Sequence, residues 1–151
     1  MSNYSTFEEE LARHSKIVYT NVGDSMLPLI KQGRDALIIE RVTSPLKRGD
    51  IPLYKRNSGK YVLHRVVGKN KQGYRILGDN RFRIECGIND SHVIGVLTGI
   101  IRDGREMTVR EAEGVLYRFY ILNLYPVRFL LLGTRELFRR IRRRLKGRKT
   151  K

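Results

Sequence analysis

The chain has 151 residues, enough for one domain with a real core, and 40% of them are hydrophobic, which is ordinary for a globular protein. Its 31 Lys and Arg against 15 Asp and Glu give a formal net charge of +16, which predicts attraction to nucleic acid, anionic lipid or acidic peptide. A single cysteine, Cys86, excludes an internal disulfide, fits a reducing compartment, and is expected as a small buried thiol.

Residues 1–16 carry no apolar run of the kind that opens a secretory signal. Residues 6–16 predict a short helix instead, with Thr6 as its cap, Glu8, Glu9 and Glu10 at its positive end, and Arg13 and Lys16 at the other. Residues 18–22 predict a strand running into Gly23-Asp24-Ser25-Met26-Leu27-Pro28, where Pro28 forces a turn. Residues 36–39 form a short apolar run between turn residues, so a buried strand, and 43–50 read as a loop around Ser44, Pro45 and Gly49. Residues 51–56 and 60–69 flank Asn57-Ser58-Gly59 and predict a hairpin. In its second strand, alternation puts Lys60, Val62, His64 and Val66 on one face and Tyr61, Leu63, Arg65 and Val67 on the other. After a turn at 70–73, residues 74–77 predict a strand that delivers Asp79 in Gly78-Asp79-Asn80, and residues 93–101 predict another, closed by Asp103-Gly104.

The composition changes near Met107. Residues 115–132 are dominated by Leu, Tyr, Phe, Ile and Val, interrupted by Arg118, Pro126 and Arg128. Residues 135–151 hold ten Lys or Arg and one acid, Glu136, with Leu137, Phe138, Ile141 and Leu145 at helical spacing, so a basic amphipathic helix is expected. The organisation expected is an N-terminal helix (1–16), a mostly β domain (17–106), and an apolar then Arg-rich helical segment (107–151). That last segment has three readings: a bilayer span, which two Arg and a Pro oppose; packing on the β domain; or lying in the membrane interface with Arg135, Arg139, Arg140, Arg142, Arg143 and Arg144 on anionic headgroups, which is favoured. Basic segments favour the cytoplasmic side, so the expected location is peripheral, on the inner face of the membrane. Nucleic acid is disfavoured, because base-stacking aromatics are not interleaved in the Arg run. The oligomeric state is not legible.

Ser25, His64 and Asp79 offer a hydroxyl, an imidazole and a carboxylate, the parts from which a serine hydrolase builds a nucleophile, a base and an orienting acid; taken singly they read equally as a turn residue, a satisfied strand histidine and a turn former beside Gly78 and Asn80. Gly23, Asp24 and Met26 frame the turn around Ser25, where backbone N–H groups are the expected oxyanion donors. Glu85 is a second acid near Asp79, and Lys60 is the nearest alternative base. Asp24 and Asp35 are further charged candidates, Asp35 being better read as a turn stabiliser after Gly33; His14 and His92 carry no motif. One Cys and scattered His give no metal-ligand spacing and there is no phosphate-binding glycine loop, so no metal or cofactor is expected.

These blocks, together with Gly33-Arg34-Asp35, Gly49-Asp50-Ile51, Leu63-His64-Arg65 and Val93-Ile94-Gly95-Val96, resemble the serine peptidase superfamily that joins signal peptidases to the self-cleaving repressors of the LexA type. The resemblance covers residues 22–101, roughly half the chain. Repressor-type members and most bacterial signal peptidases use a Lys base, whereas the archaeal and endoplasmic-reticulum type uses a His, and His64 points to that branch. The resemblance implies the mostly β fold of that superfamily, Ser25 as nucleophile, His64 as base, Asp79 as supporting acid, and small side chains just before the cut. Two departures stand out: residues 1–22 are too polar for the membrane anchor that usually precedes the Ser motif, and Gly23 stands where some members place a hydroxyl. The expected function is a serine endopeptidase acting on a peptide or precursor protein by acyl transfer, with activity rising through roughly pH 6 to 8 as the imidazole is freed of its proton. The alternative is a catalytically inactive peptidase-fold module that binds anionic membrane or nucleic acid.

Overall fold

Helix α1 (Phe7–His14) begins where the Thr6 hydroxyl accepts from the Glu9 N–H at 3.2 Å while the Glu9 carboxylate accepts from the Thr6 N–H at 3.0 Å, a reciprocal cap that satisfies two otherwise orphaned donors. The structure is a computed structural model and describes residues 5–20, 22–124, 127, 129, 130 and 134. Among the described residues nine antiparallel strands follow: β1 (Lys16–Thr20), β2 (Asp35–Glu40), β3 (Pro52–Lys55), β4 (Tyr61–Leu63), β5 (Arg65–Asn70), β6 (Gly73–Leu77), β7 (Glu85–Ile88), β8 (Val93–Arg102) and β9 (Arg105–Thr108). Helix α2 (Val109–Asn123) closes the described elements, its start capped by Thr108 and Glu111 in the same reciprocal way. The protein is therefore mostly β, with a helix before and a helix after the strands.

The first sheet has the order β1-β2-β8-β3-β4. Strand β8 is long enough to hold β2 along one edge and β3 then β9 along the other. The second sheet is β5-β6-β7. The main core lies inside the first sheet, where Leu37 and Ile39 of β2, Leu53 of β3, Leu97 and Ile100 of β8 and Leu11 of α1 pack together. A second core, built on Tyr54, Val66, Tyr74 and Ile76, joins the two sheets.

Two local features beside the site differ from the sequence-based reading, and strand β9 is a third element that it lacks. Residues 60–69 are not one strand: the chain leaves β4 at Leu63, passes His64 and enters β5 of the other sheet at Arg65. Alternation fails there because the crossover sends Leu63, His64, Arg65 and Val66 all into the interior. The second feature is β7, which the sequence did not announce. Tyr74 pairs Ile88 and Ile76 pairs Glu85, so β7 carries one extra residue, a bulge at Cys86-Gly87 with Gly87 at φ 80°. The bulge corrects the expectation of a buried thiol: Cys86 is exposed. It also brings Glu85 to the side on which Ile88 is buried.

Helix α2 is broken at Gly114 (φ 64°, ψ 164°), a conformation that glycine adopts without penalty. Glu113 and Ile121 are buried, whereas Val115 and Leu116 are each 86% exposed. No helix among the described residues is long and apolar enough to cross a membrane. The expected membrane-binding residues Arg135, Arg139, Arg140, Arg142, Arg143 and Arg144 lie outside the described residues.

Candidate active site

The residues after Ser25 explain how its loop is held. Met26, Leu29 and Ile30 are buried in the main core, and the Ile30 N–H donates to the Met26 carbonyl at 2.9 Å, one helix-like turn. Each such side chain contributes about 1.5–3 kcal/mol of burial, which fixes the half-buried Ser25 at the rim. Asp35 clamps the far end of the loop: it accepts from the Lys31 N–H at 2.8 Å and from Arg102 Nε at 2.8 Å, and Arg102 Nη2 donates to the Leu29 carbonyl at 2.8 Å. Burial opposes charge on Asp35, but Arg34 and Arg102 hold its carboxyl well below the usual range. Asp35 thus shapes the loop, as the turn reading expects.

His64 is buried at the crossover between the sheets, and its Nδ1 lies 3.2 Å from Glu85 Oε1, with the Tyr54 hydroxyl looser at 3.4 Å. Glu85 is held in turn by Arg56, whose Nε donates to Oε2 at 2.8 Å and whose Nη2 donates to Oε1. An ionised carboxylate only accepts, so the proton is assigned to Nδ1 and the lone pair to Nε2. Burial pushes His64 below its ordinary value, Glu85 pulls it up, and Arg56 and Arg81 push it down again, leaving it lowered. Burial raises Glu85, but the Arg56 hydrogen bonds and charge outweigh this and keep it lowered. At neutral pH the pair is carboxylate and neutral imidazole, the resting state that a general base needs.

Gly78 marks where Ser25 and His64 converge. A Cβ there would come 2.8 Å from the Ser25 carbonyl oxygen and 3.0 Å from His64 Nε2, so only glycine allows both approaches. Next to it, the Asn80 N–H donates to the Ser25 carbonyl at 2.8 Å, and Asn80 Nδ2 donates to the Asp24 carbonyl at 3.1 Å. Asp24 itself is exposed and paired with Arg81.

Asp79 does not take the place expected of it. Its Oδ1 accepts from Arg65 Nε at 2.8 Å and its Oδ2 from Arg65 Nη2 at 2.6 Å and the Tyr117 hydroxyl at 2.9 Å. The carboxylate at His64 Nδ1 is that of Glu85. The reason is the bulge in β7, which turns Glu85 inward, while the side chain of Arg65, pulled inside by the crossover, captures Asp79. The oxyanion expectation changes as well. The Gly23 N–H is committed to Gln32 Oε1 at 2.9 Å, whereas the N–H groups of Ser25 and Met26 have no protein acceptor among the described residues.

Ser25 and His64 share a cleft of about 490 Å³, walled by Tyr19 and Thr20 of β1 on one side and Tyr61 and Val62 of β4 on the other. Strand β1 pairs only β2, and β4 only β3, among the described residues, so each presents a free edge. Phe7 of α1 bridges them, with ring centroids 5.1 Å from Tyr19 and 5.0 Å from Tyr61. Lys60 also lines the cleft. His14 pairs Glu10, and His92 bonds Asn89 and Asn57, both away from the cleft. Among the described residues no three His, Cys, Asp or Glu side chains come together as a metal cage. Compared with known proteins, the chain matches no protein-family model and no curated protein.

Proposed function

We propose that this protein is a serine endopeptidase resembling the His-using signal peptidases. The observation that carries the reading is a buried imidazole held at Nδ1 by Glu85, with Nε2 turned to the Gly78 contact that it shares with the Ser25 backbone. Ser25 Oγ attacks a peptide carbonyl while His64 Nε2 accepts the hydroxyl proton, and Glu85 supports the imidazolium that forms. The N–H groups of Ser25 and Met26 receive the oxyanion. His64 then gives its proton to the leaving amine, and water, deprotonated by the same imidazole, releases the acyl group and restores Ser25. The peptide lies extended in the cleft, adding a strand to the free edge of β1 or β4. The resemblance favours small side chains just before the cut. The substrate class is a peptide or precursor protein.

The basic segment 135–151 supports a second part of the proposal, that the enzyme docks peripherally on anionic lipid at the cytoplasmic face. The test of the chemistry is an active-site label. A fluorophosphonate should form a covalent adduct that peptide mapping locates on Ser25, and Ser25→Ala should take up none; a wild-type chain left unmodified would favour the inactive-module alternative.

A further inference from the structure

Arg65 follows His64 directly and is 0% exposed. A guanidinium so deeply buried needs acceptors on every side, and three separate parts of the chain supply them. Asp79 takes Nε and Nη2; on the other side Nη1 donates to the Gly49 carbonyl at 3.1 Å and to Glu113 Oε1. Glu113 is buried too, and its second oxygen accepts from Arg118 Nη1 at 2.8 Å. One turn beyond, the Tyr117 hydroxyl donates to Asp79 Oδ2 at 2.9 Å. Glu113, Tyr117 and Arg118 all belong to α2, outside the stretch that carries the peptidase resemblance. Among the described residues two cations and two carboxylates balance, and no buried side-chain polar atom lacks a partner.

The same cluster touches both members of the reactive pair through short covalent connections. Arg65 is the neighbour of His64. Asp79 lies between Gly78, which packs against His64 Nε2 and the Ser25 carbonyl, and Asn80, which holds the backbone of Asp24 and Ser25. A shift of the Arg65–Asp79 pair therefore moves the nucleophile and the base relative to one another.

We infer that Glu113 and Tyr117 are positioning residues for Ser25 and His64, and that α2 is part of the active-site frame. This rests on the peptidase reading. The experiment compares the intact chain with Tyr117→Phe and Glu113→Gln, each kept at a temperature where circular dichroism shows it folded. It reads the rate of fluorophosphonate labelling at Ser25, and kcat and KM on a peptide chosen from a library with small residues before the cut. Tyr117→Phe removes one hydroxyl and should slow labelling and kcat about 3- to 10-fold. Glu113→Gln removes the charge that Arg65 and Arg118 share and should slow them about 100-fold, the scale of a misplacement near 1 Å. KM should stay within about twofold in both, because neither residue lines the cleft. Should Glu113→Gln fail to fold, the conservative Tyr117→Phe decides alone. A folded Tyr117→Phe that labels and turns over at the wild-type rate, or one whose loss lies in KM, overturns the inference while the peptidase reading stands. A wild-type Ser25 that takes no label overturns the peptidase reading, and this inference with it.

Discussion

Replacing Glu85 with Gln separates the site described above from the arrangement in which Asp79 orients the base. Glu85 Oε1 lies 3.2 Å from His64 Nδ1. With an effective dielectric of about 20, an imidazolium and a carboxylate at that distance attract by roughly 5 kcal/mol. Arg56 neutralises part of the carboxylate, and water reaches its partly exposed side chain, so about half survives, about 2–3 kcal/mol. The imidazolium exists only in the transition state and intermediates, so the loss falls on kcat, by roughly 30- to 160-fold. Glu85 is also the group that raises the His64 pKa against burial and the two arginines. Without it His64 protonates at lower pH, and the acid limb of kcat/KM moves down. The assay is turnover of the library peptide from pH 4.5 to 8 by wild type and Glu85→Gln. A wild-type kcat in the variant, or an acid limb displaced upward, refutes the assignment of Glu85 as the carboxylate behind the base.

Wild-type activity itself should rise at lower pH than a free imidazole implies, with its acid limb below about 6.5, because burial depresses His64; an acid limb centred at pH 7 or above contradicts the site. The same depression bears on stability. The unfolded chain protonates His64 at about 6.5 and the folded one lower, so this contribution is complete above 6.5 and fades as pH falls toward the folded value, which chemical denaturation across pH 4.5–7.5 reads by comparing wild type with His64→Gln. Asp79→Asn should leave the acid limb where it is but strip a charge from the buried Arg65, at a cost of about 3–5 kcal/mol, and lower the melting temperature by about 10 °C; an unchanged melting temperature with a displaced limb would return Asp79 to the imidazole. Removing residues 135–151 should release the protein from vesicles containing anionic lipid, and high salt should weaken the intact protein's binding, both seen by sedimentation. Binding indifferent to salt and lipid charge would point to a hydrophobic anchor instead.

Much of the fold around the candidate site is legible because its signals are local. Thr6 with Glu9, the Asn57-Ser58-Gly59 turn and the apolar run at Leu37-Ile38-Ile39 each specify their element within a few residues. Ser25 and His64 were marked by their flanking residues, and they do face one cleft. What escaped is what depends on distant pairing. The inward turn of Glu85 follows from one extra residue in a four-residue edge strand whose sequence, Glu-Cys-Gly-Ile, has little strand character. Strand β9 (Arg105–Thr108) is polar enough to pass for a loop and exists because β8 offers it an edge. The capture of Asp79 required knowing that the strand breaks at His64 and buries Arg65. Glu113 reads as one more solvated acid at a helix start, and only the fold brings it to Arg65, 48 positions away.

The proposed chemistry stands or falls with Ser25 as the nucleophile that cuts peptide bonds. Its most direct measurement is mass spectrometry of a peptide library incubated with purified wild type and with Ser25→Ala, the melting temperature of the variant being checked in parallel. Defined cleavage products are expected from the wild type and none from a Ser25→Ala chain that melts like it. Products of equal abundance from both chains would contradict it.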